Sequence, residues 1–124
     1  MILVDTSVWI SFLRKDDQDL VDILKSYLKR QEAFTISAIF GELLQGVKSK
    51  REREVLDILW ESLPKVSEDS LFLQAGKLSN ENKFYAHGIG LIDCYILSAA
   101  IKHDLALWTL DKKLGAAAQE ILGS

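Results

Sequence analysis

Three short strand-like runs constrain this chain more than any other feature: Ile2-Leu3-Val4, Ala33-Phe34-Thr35-Ile36 and Leu105-Ala106-Leu107-Trp108. Each is too short and too apolar for anything but a buried strand, and long stretches with helical periodicity separate them. Strands joined through helices pair in parallel, because parallel neighbours need crossover connections, and the helices then cover both faces of the sheet. At 124 residues the chain has the length of one domain. No linker, repeat or low-complexity segment divides it. The expected fold is therefore a single α/β domain over residues 1–124, with a short central parallel sheet flanked by helices.

The helices are marked by their apolar faces. Val8, Trp9, Phe12 and Leu13 supply the face of a helix that follows the first strand directly, capped by Asp5, Thr6 or Ser7. After the polar break Arg14-Lys15-Asp16-Asp17, residues Leu20, Ile23, Leu24, Tyr27 and Leu28 recur at helical spacing. Ser37 is placed to cap a helix carrying Ile39, Phe40, Leu43 and Leu44 and ending near Gly46. Residues 48–53 read as a basic turn, and Val55, Leu56, Leu59 and Leu63 as a helix stopped by Pro64, the only proline. Lys65-Val66 reads as a very short strand, and 67–85 as one helix opened by Ser67 or Asp69. A helix over 91–103 follows, apolar on nearly every side. Asp111-Lys112-Lys113 reads as a turn and 116–122 as a closing helix.

Composition narrows the class. Apolar residues make up 48% and charged residues 27%, which suits a packed core rather than a disordered tail. A single cysteine, Cys94, leaves no disulfide framework or cysteine cluster, and a reducing cytosol is the expected compartment. No apolar stretch reaches the ~18 residues of a membrane span. The net charge of −3 argues against a general nucleic-acid coat protein, though not against a nuclease whose acidic ligands lower the charge themselves.

Four acids fall where such a fold puts its chemistry. In an open parallel sheet, ligands bind outside the carboxyl ends of the strands. Asp5 follows the first strand and Asp111 the last. Glu42 lies one and a half turns into the helix after the second strand, and Asp93 begins the helix that feeds the last. Taken singly, Asp5 reads as a helix cap, Glu42 as a surface acid, Asp93 as a first-turn acid and Asp111 as a turn residue. Together they converge on one end of one sheet. Converging carboxylates repel one another unless a cation neutralises them. An oxygen-only set points to Mg²⁺, with Mn²⁺ as the alternative, rather than Zn²⁺, and such a site suits phosphodiester hydrolysis.

These residues carry a family resemblance. Ile2-Leu3-Val4-Asp5-Thr6-Ser7 with Trp9-Ile10 resembles the opening strand and loop of PIN domains. The segment Ala38-Ile39-Phe40-Gly41-Glu42-Leu43-Leu44-Gln45-Gly46 resembles their second motif, Leu91-Ile92-Asp93-Cys94-Tyr95-Ile96-Leu97-Ser98-Ala99-Ala100 their third, and Trp108-Thr109-Leu110-Asp111-Lys112-Lys113-Leu114 their fourth. Any one motif is weak; the ordered set spans nearly the whole chain. The compact length is similar to VapC toxins of VapBC toxin–antitoxin pairs. The resemblance implies a PIN-like α/β/α sandwich and a metal-dependent endoribonuclease with Asp5, Glu42, Asp93 and Asp111 as catalytic metal ligands. Thr6, Ser7 and Thr109 would orient those carboxylates. It also implies a homodimer, a VapB-type antitoxin that wraps the toxin and approaches the site, and an RNA substrate in the cytoplasm. The chain departs from the usual pattern at Cys94-Tyr95, where small residues are commoner; Tyr95 either narrows the site or faces the core.

The Lys48, Lys50, Arg51, Arg53 cluster reads either as a solvated helix entry or as an edge for RNA phosphates; Arg14-Lys15 and Lys112-Lys113 read similarly. Other signals carry little. The 41–49 segment has its lysine one place too late for a phosphate-binding loop, and Gly88-Ile89-Gly90 has Asp93 where a dinucleotide site needs a third glycine. His87 and His103 form no ligand pair. A receiver domain would need a second acid beside Asp5 and a lysine ending the last strand, and neither is present. A PIN nuclease of RNA processing without a toxin role, or a PIN scaffold that binds without cutting, stands as the alternative reading.

Overall fold

In the computed structural model, which describes residues 1–123, strand β1 (Ile2–Val4) lies between β2 (Ala33–Phe34) and β3 (Ala106–Trp108), and both pairings are parallel. Ile2 pairs with Ala33 on one side and Ala106 on the other, and Val4 with Trp108. All three carboxyl ends therefore share one edge. The chain leaves β1 for opposite neighbours, so the crevice opens where the strand order reverses.

Helices α1 (Thr6–Arg14), α2 (Gln18–Lys29), α3 (Ser37–Gln45), α4 (Lys50–Ser62), α5 (Leu71–Asn82), α6 (Leu91–Lys102) and α7 (Lys112–Leu122) surround the sheet. One apolar cluster centres on β1, with Leu3, Val4, Val8, Trp9, Ile36, Ile39 and Ile96 buried together. A second gathers Ala75, Phe84, Cys94, Leu97 and Leu114 under α5, α6 and α7. Fully burying side chains of this size stabilises by roughly 1.5–3 kcal/mol each. Trp9 joins α1 to α3 through edge contacts with Phe12 and Phe40, at 5.7 and 5.9 Å between ring centres.

The fold differs from the sequence expectation at several boundaries, each with a local cause. Residues 48–53 are not a turn, because Ser49 Oγ accepts from Glu52 N–H and starts α4 at Lys50. The stretch 67–85 is not one helix. Ser70 and Lys83 both take left-handed backbone (φ 63° and 54°), leaving α5 between them and a 3₁₀ turn at Phe84–His87. Upstream, Lys102 Nζ donates to the Asp69 carbonyl and His103 Nε2 contacts the Ser67 carbonyl, which pins that segment to the end of α6. Lys65 makes a single parallel bridge to Thr35 rather than a strand. Ile36, not Ser37, caps α3. The body of α6 is buried, but Leu91 and Ile92 in its first turn are 43% and 42% exposed. Asp111 begins α7 directly, through a bond from Leu114 N–H to its Oδ1.

Candidate active site

Asp5 is the hub of the carboxyl edge. Its backbone N–H extends the sheet by donating to the Trp108 carbonyl at 2.9 Å. Its side chain, only 4% exposed, caps α1. Ser7 Oγ and Thr109 Oγ1 each donate to Asp5 Oδ2 at 2.7 Å, and Ser7 N–H approaches the same oxygen at 3.5 Å. All three fall on one oxygen, so Oδ1 carries none of them. The loop after β3 is tied back to this carboxylate. Ser7 Oγ accepts from Leu110 N–H at 2.9 Å, and Thr109 Oγ1 accepts from Asp111 N–H at 3.1 Å.

The other three acids gather around this hub by different means. Glu42 is exposed on α3, and Thr6 Oγ1 donates to its Oε1 at 2.7 Å, binding the start of α1 to the middle of α3. Asp93 is half-buried in the first turn of α6, where Oδ2 accepts from Gly90 N–H at 3.3 Å. Burial, foremost, pushes the Asp93 carboxyl up from its ordinary range. The Gly90 bond pulls it down, and the charges of Asp111, Asp5 and Glu42, in that order, push it up further. The four acids thus share one electrostatic neighbourhood. No cation offsets them at close range: among the described residues the only ion pair is Arg30–Glu32, at 3.1 Å.

The arrangement is looser than a finished ligand set. Among the described residues, no group of three or more His, Cys, Asp or Glu side chains is drawn in closely enough to hold a metal ion. Mutual repulsion keeps like charges apart, and each carboxylate is tied to its own hydroxyl or backbone donor.

The basic cluster divides. Lys48 and Arg51 line a groove of about 670 Å³ together with Arg14, Glu42 and the apolar side chains of α1, α3 and α4. Lys50 and Arg53 do not line it; both are exposed on the first turns of α4.

Tyr95 neither narrows the site nor sits wholly in the core. It is half-buried, its ring meets Phe72 at 6.2 Å, and its Oη donates to Glu68 Oε1 at 2.8 Å. Burial, and then the bond and charge of Glu68, push its phenol up to about 12. Glu68 was not legible as a functional acid. It accepts from Ser37 N–H at 2.9 Å and Ser37 Oγ at 2.6 Å, closing the start of α3, while Tyr95 ties it to α6. It thereby links the two helices that carry Glu42 and Asp93. In the sequence it is one acid of Ser67-Glu68-Asp69, and nothing there signals a cap for a helix 31 residues earlier.

A profile described as the PIN domain matches residues 2–120. The chain is 37% identical over 123 residues to Ribonuclease VapC32 of Mycobacterium tuberculosis, in both strain CDC 1551 / Oshkosh and strain H37Rv, spanning 97% of this chain and 92% of that protein. The crystal structure of FitAcB from Neisseria gonorrhoeae superposes with a TM-score of 0.63, at 22% identity, over 96% of this chain and 94% of that one, which shows a shared fold. The chain belongs to the PIN domain family, with a VapC ribonuclease among its relatives.

Proposed function

We propose that this protein is a divalent-metal-dependent endoribonuclease that hydrolyses RNA phosphodiester bonds, acting as one PIN domain and as the toxin of a type II toxin–antitoxin pair. The observation that carries the reading is the carboxyl edge of the sheet, where Ser7 and Thr109 converge on buried Asp5 and Thr6 holds Glu42, in a chain of the PIN domain family. The 37% identity to a VapC ribonuclease over nearly the full chain supports it. Four uncompensated carboxylates with no His or Cys among them fit Mg²⁺ or Mn²⁺, and Asp5, Glu42, Asp93 and Asp111 would hold it. When bound, such an ion supplies positive charge against the phosphate and acidifies a water molecule.

The chain's own residues do the rest. Ser7 and Thr109 fix the Asp5 rotamer from two sides, and Thr6 fixes Glu42, as hydroxyl partners commonly do for ligating carboxylates. Asp93, with its carboxyl raised by burial, takes up a proton at higher pH than an ordinary carboxylate does. Lys48, Arg51 and the less central Lys50 and Arg53 offer charge to an RNA backbone.

Partners follow from the same reading. The groove, apolar along Ile10, Leu13, Leu43, Val47, Val55 and Leu56 and edged by Arg14, Lys48 and Arg51 as well as Glu42 and Glu52, suits an apolar segment from a VapB-type antitoxin. Phe72 and Leu73 on α5, 59% and 73% exposed, suit a homodimer. No helix among the described residues is long and apolar enough to cross a membrane, and the reading has the protein act on RNA in the cytoplasm. Expression in a bacterial host tests the toxin role. Wild type arrests growth, and Asp5→Asn relieves the arrest at equal protein level. Equal toxicity of the two would contradict it.

A further inference from the structure

Lys113 stands in the first turn of α7, two residues after Asp111, and its stem is laid over Gly88. A β-carbon built on Gly88 would meet Lys113 Nζ at 2.6 Å and both Cδ and Cε at 3.5 Å. Gly88 also has φ of +75°, so its backbone conformation favours glycine, and the absence of a side chain leaves the space the lysine head occupies. Two residues on, Gly90 donates its N–H to Asp93 Oδ2. The lysine head therefore covers the loop that delivers Asp93 to the cleft.

Its charge is not used within the fold. Lys113 has no carboxylate within ion-pair distance among the described residues. The charges acting on Asp93 are those of the other three acids, and Lys113 is not one of them. A cation two residues from Asp111, laid over the loop that leads to Asp93 and paired with no carboxylate, is available to an anion that passes that loop. Gly88 and Gly90 also line an open depression of about 600 Å³ with Asn80 and Tyr85, a lining that holds neither Lys113 nor the four acids. The other flank of the acids, at Glu42, has Arg14, Lys48 and Arg51.

We propose that Lys113, held over the Gly88 cradle, is a backbone-phosphate subsite for the RNA strand on the Asp93 side of the cleft. It acts as a point charge with three donors and carries no base preference. The inference rests on the ribonuclease reading and adds to it a residue outside the four acids and outside the 48–53 cluster.

The test compares wild type, Lys113→Gln and Lys113→Arg on a single-stranded RNA oligonucleotide, over a range of monovalent salt. Steady-state cleavage is measured with Mg²⁺, and equilibrium binding by fluorescence anisotropy in EDTA. Loss of one phosphate contact makes the log–log salt slope shallower by about 0.7 and weakens binding about fivefold near 0.1 M salt. Lys113→Gln should show both, with KM raised to match, kcat within twofold of wild type and an unchanged melting temperature. Lys113→Arg should restore the slope. An unchanged slope and KM in Lys113→Gln, or a loss confined to kcat, overturns the subsite while wild-type cutting leaves the ribonuclease reading intact. Wild type that neither cuts nor binds RNA removes both, and that outcome is visible without the variants.

Discussion

Thr109 Oγ1 donates a 2.7 Å hydrogen bond to Asp5 Oδ2, joining the ends of β3 and β1 on one buried carboxylate across 104 residues of chain. The same hydroxyl accepts from Asp111 N–H, so it sets the position of two of the four acids at once. Replacing it with valine keeps the shape and removes both bonds. Thr109→Val should lower stability by about 1–3 kcal/mol, because a buried charged acceptor loses one of its donors. Urea unfolding should show a lower midpoint with an unchanged slope, and RNA cleavage should fall as well.

Thr6 offers the opposite balance. Its bond to Glu42 Oε1 is exposed, so Thr6→Val should change stability by less than about 0.5 kcal/mol. Activity should still fall, by about tenfold or more, because Glu42 loses the donor that orients it. Equal, small effects on both would show that Glu42 needs no orientation.

Glu68 is a structural tie. Glu68→Ala leaves Ser37 N–H and Tyr95 Oη without their acceptor, and should cost about 1–3 kcal/mol in urea unfolding. The Tyr95 phenol, now pushed up to about 12, should titrate lower in this variant, since the bond and charge of Glu68 help raise it. Absorbance titration of the phenolate reads that change; an unmoved titration would remove Glu68 as its partner.

The strands and the four acids were legible in the sequence for a physical reason. The β1 and β3 segments are short apolar runs that stop at a polar residue. Asp5 and Asp111 lie just past them, where a parallel sheet puts its crevice, and Glu42 and Asp93 lie in the helices that follow β2 and precede β3. Thr6, Ser7 and Thr109 were legible as hydroxyls beside Asp5 and Asp111, but only Ser7 bonds its near neighbour; the reach of Thr6 to Glu42 over 36 residues and of Thr109 to Asp5 over 104 was not legible. Nor was the break at Ser70. It depends on Lys102 and His103 reaching back to the Asp69 and Ser67 carbonyls, contacts over more than 30 residues that no local pattern reports. The reach of Glu68 to Ser37 was hidden in the same way. The start of α4 was misread because the charged run 50–53 hides a serine cap, although Ser49 with Glu52 three residues on is a helix-start signal.

Asp93 connects the site to pH. Its carboxyl is raised in the folded protein, so the stability it contributes is fully present below the unfolded carboxylate value and is lost as pH rises through the folded value. In metal-free buffer, Asp93→Asn should therefore melt at or above wild type at pH 7, and the gap should close as pH falls through the raised value toward the ordinary Asp range. Thermal melts across pH 4 to 8 check this. A variant clearly less stable at pH 7 would mark Asp93 as a structural acid.

The central claim is that the four carboxylates form one metal-dependent site for RNA. Cleavage of a single-stranded RNA by purified protein tests it most directly, with Mg²⁺ or Mn²⁺, with EDTA, and with Asp93→Asn in place of wild type. Wild type should cut with metal, preferring the single strand to a regular duplex, whose A-form helix a compact cleft accommodates poorly. It should stop in EDTA and recover when metal is restored, and Asp93→Asn should lose most of the activity while remaining folded. Cutting that continues undiminished in EDTA, or at the wild-type rate in Asp93→Asn, would contradict the account.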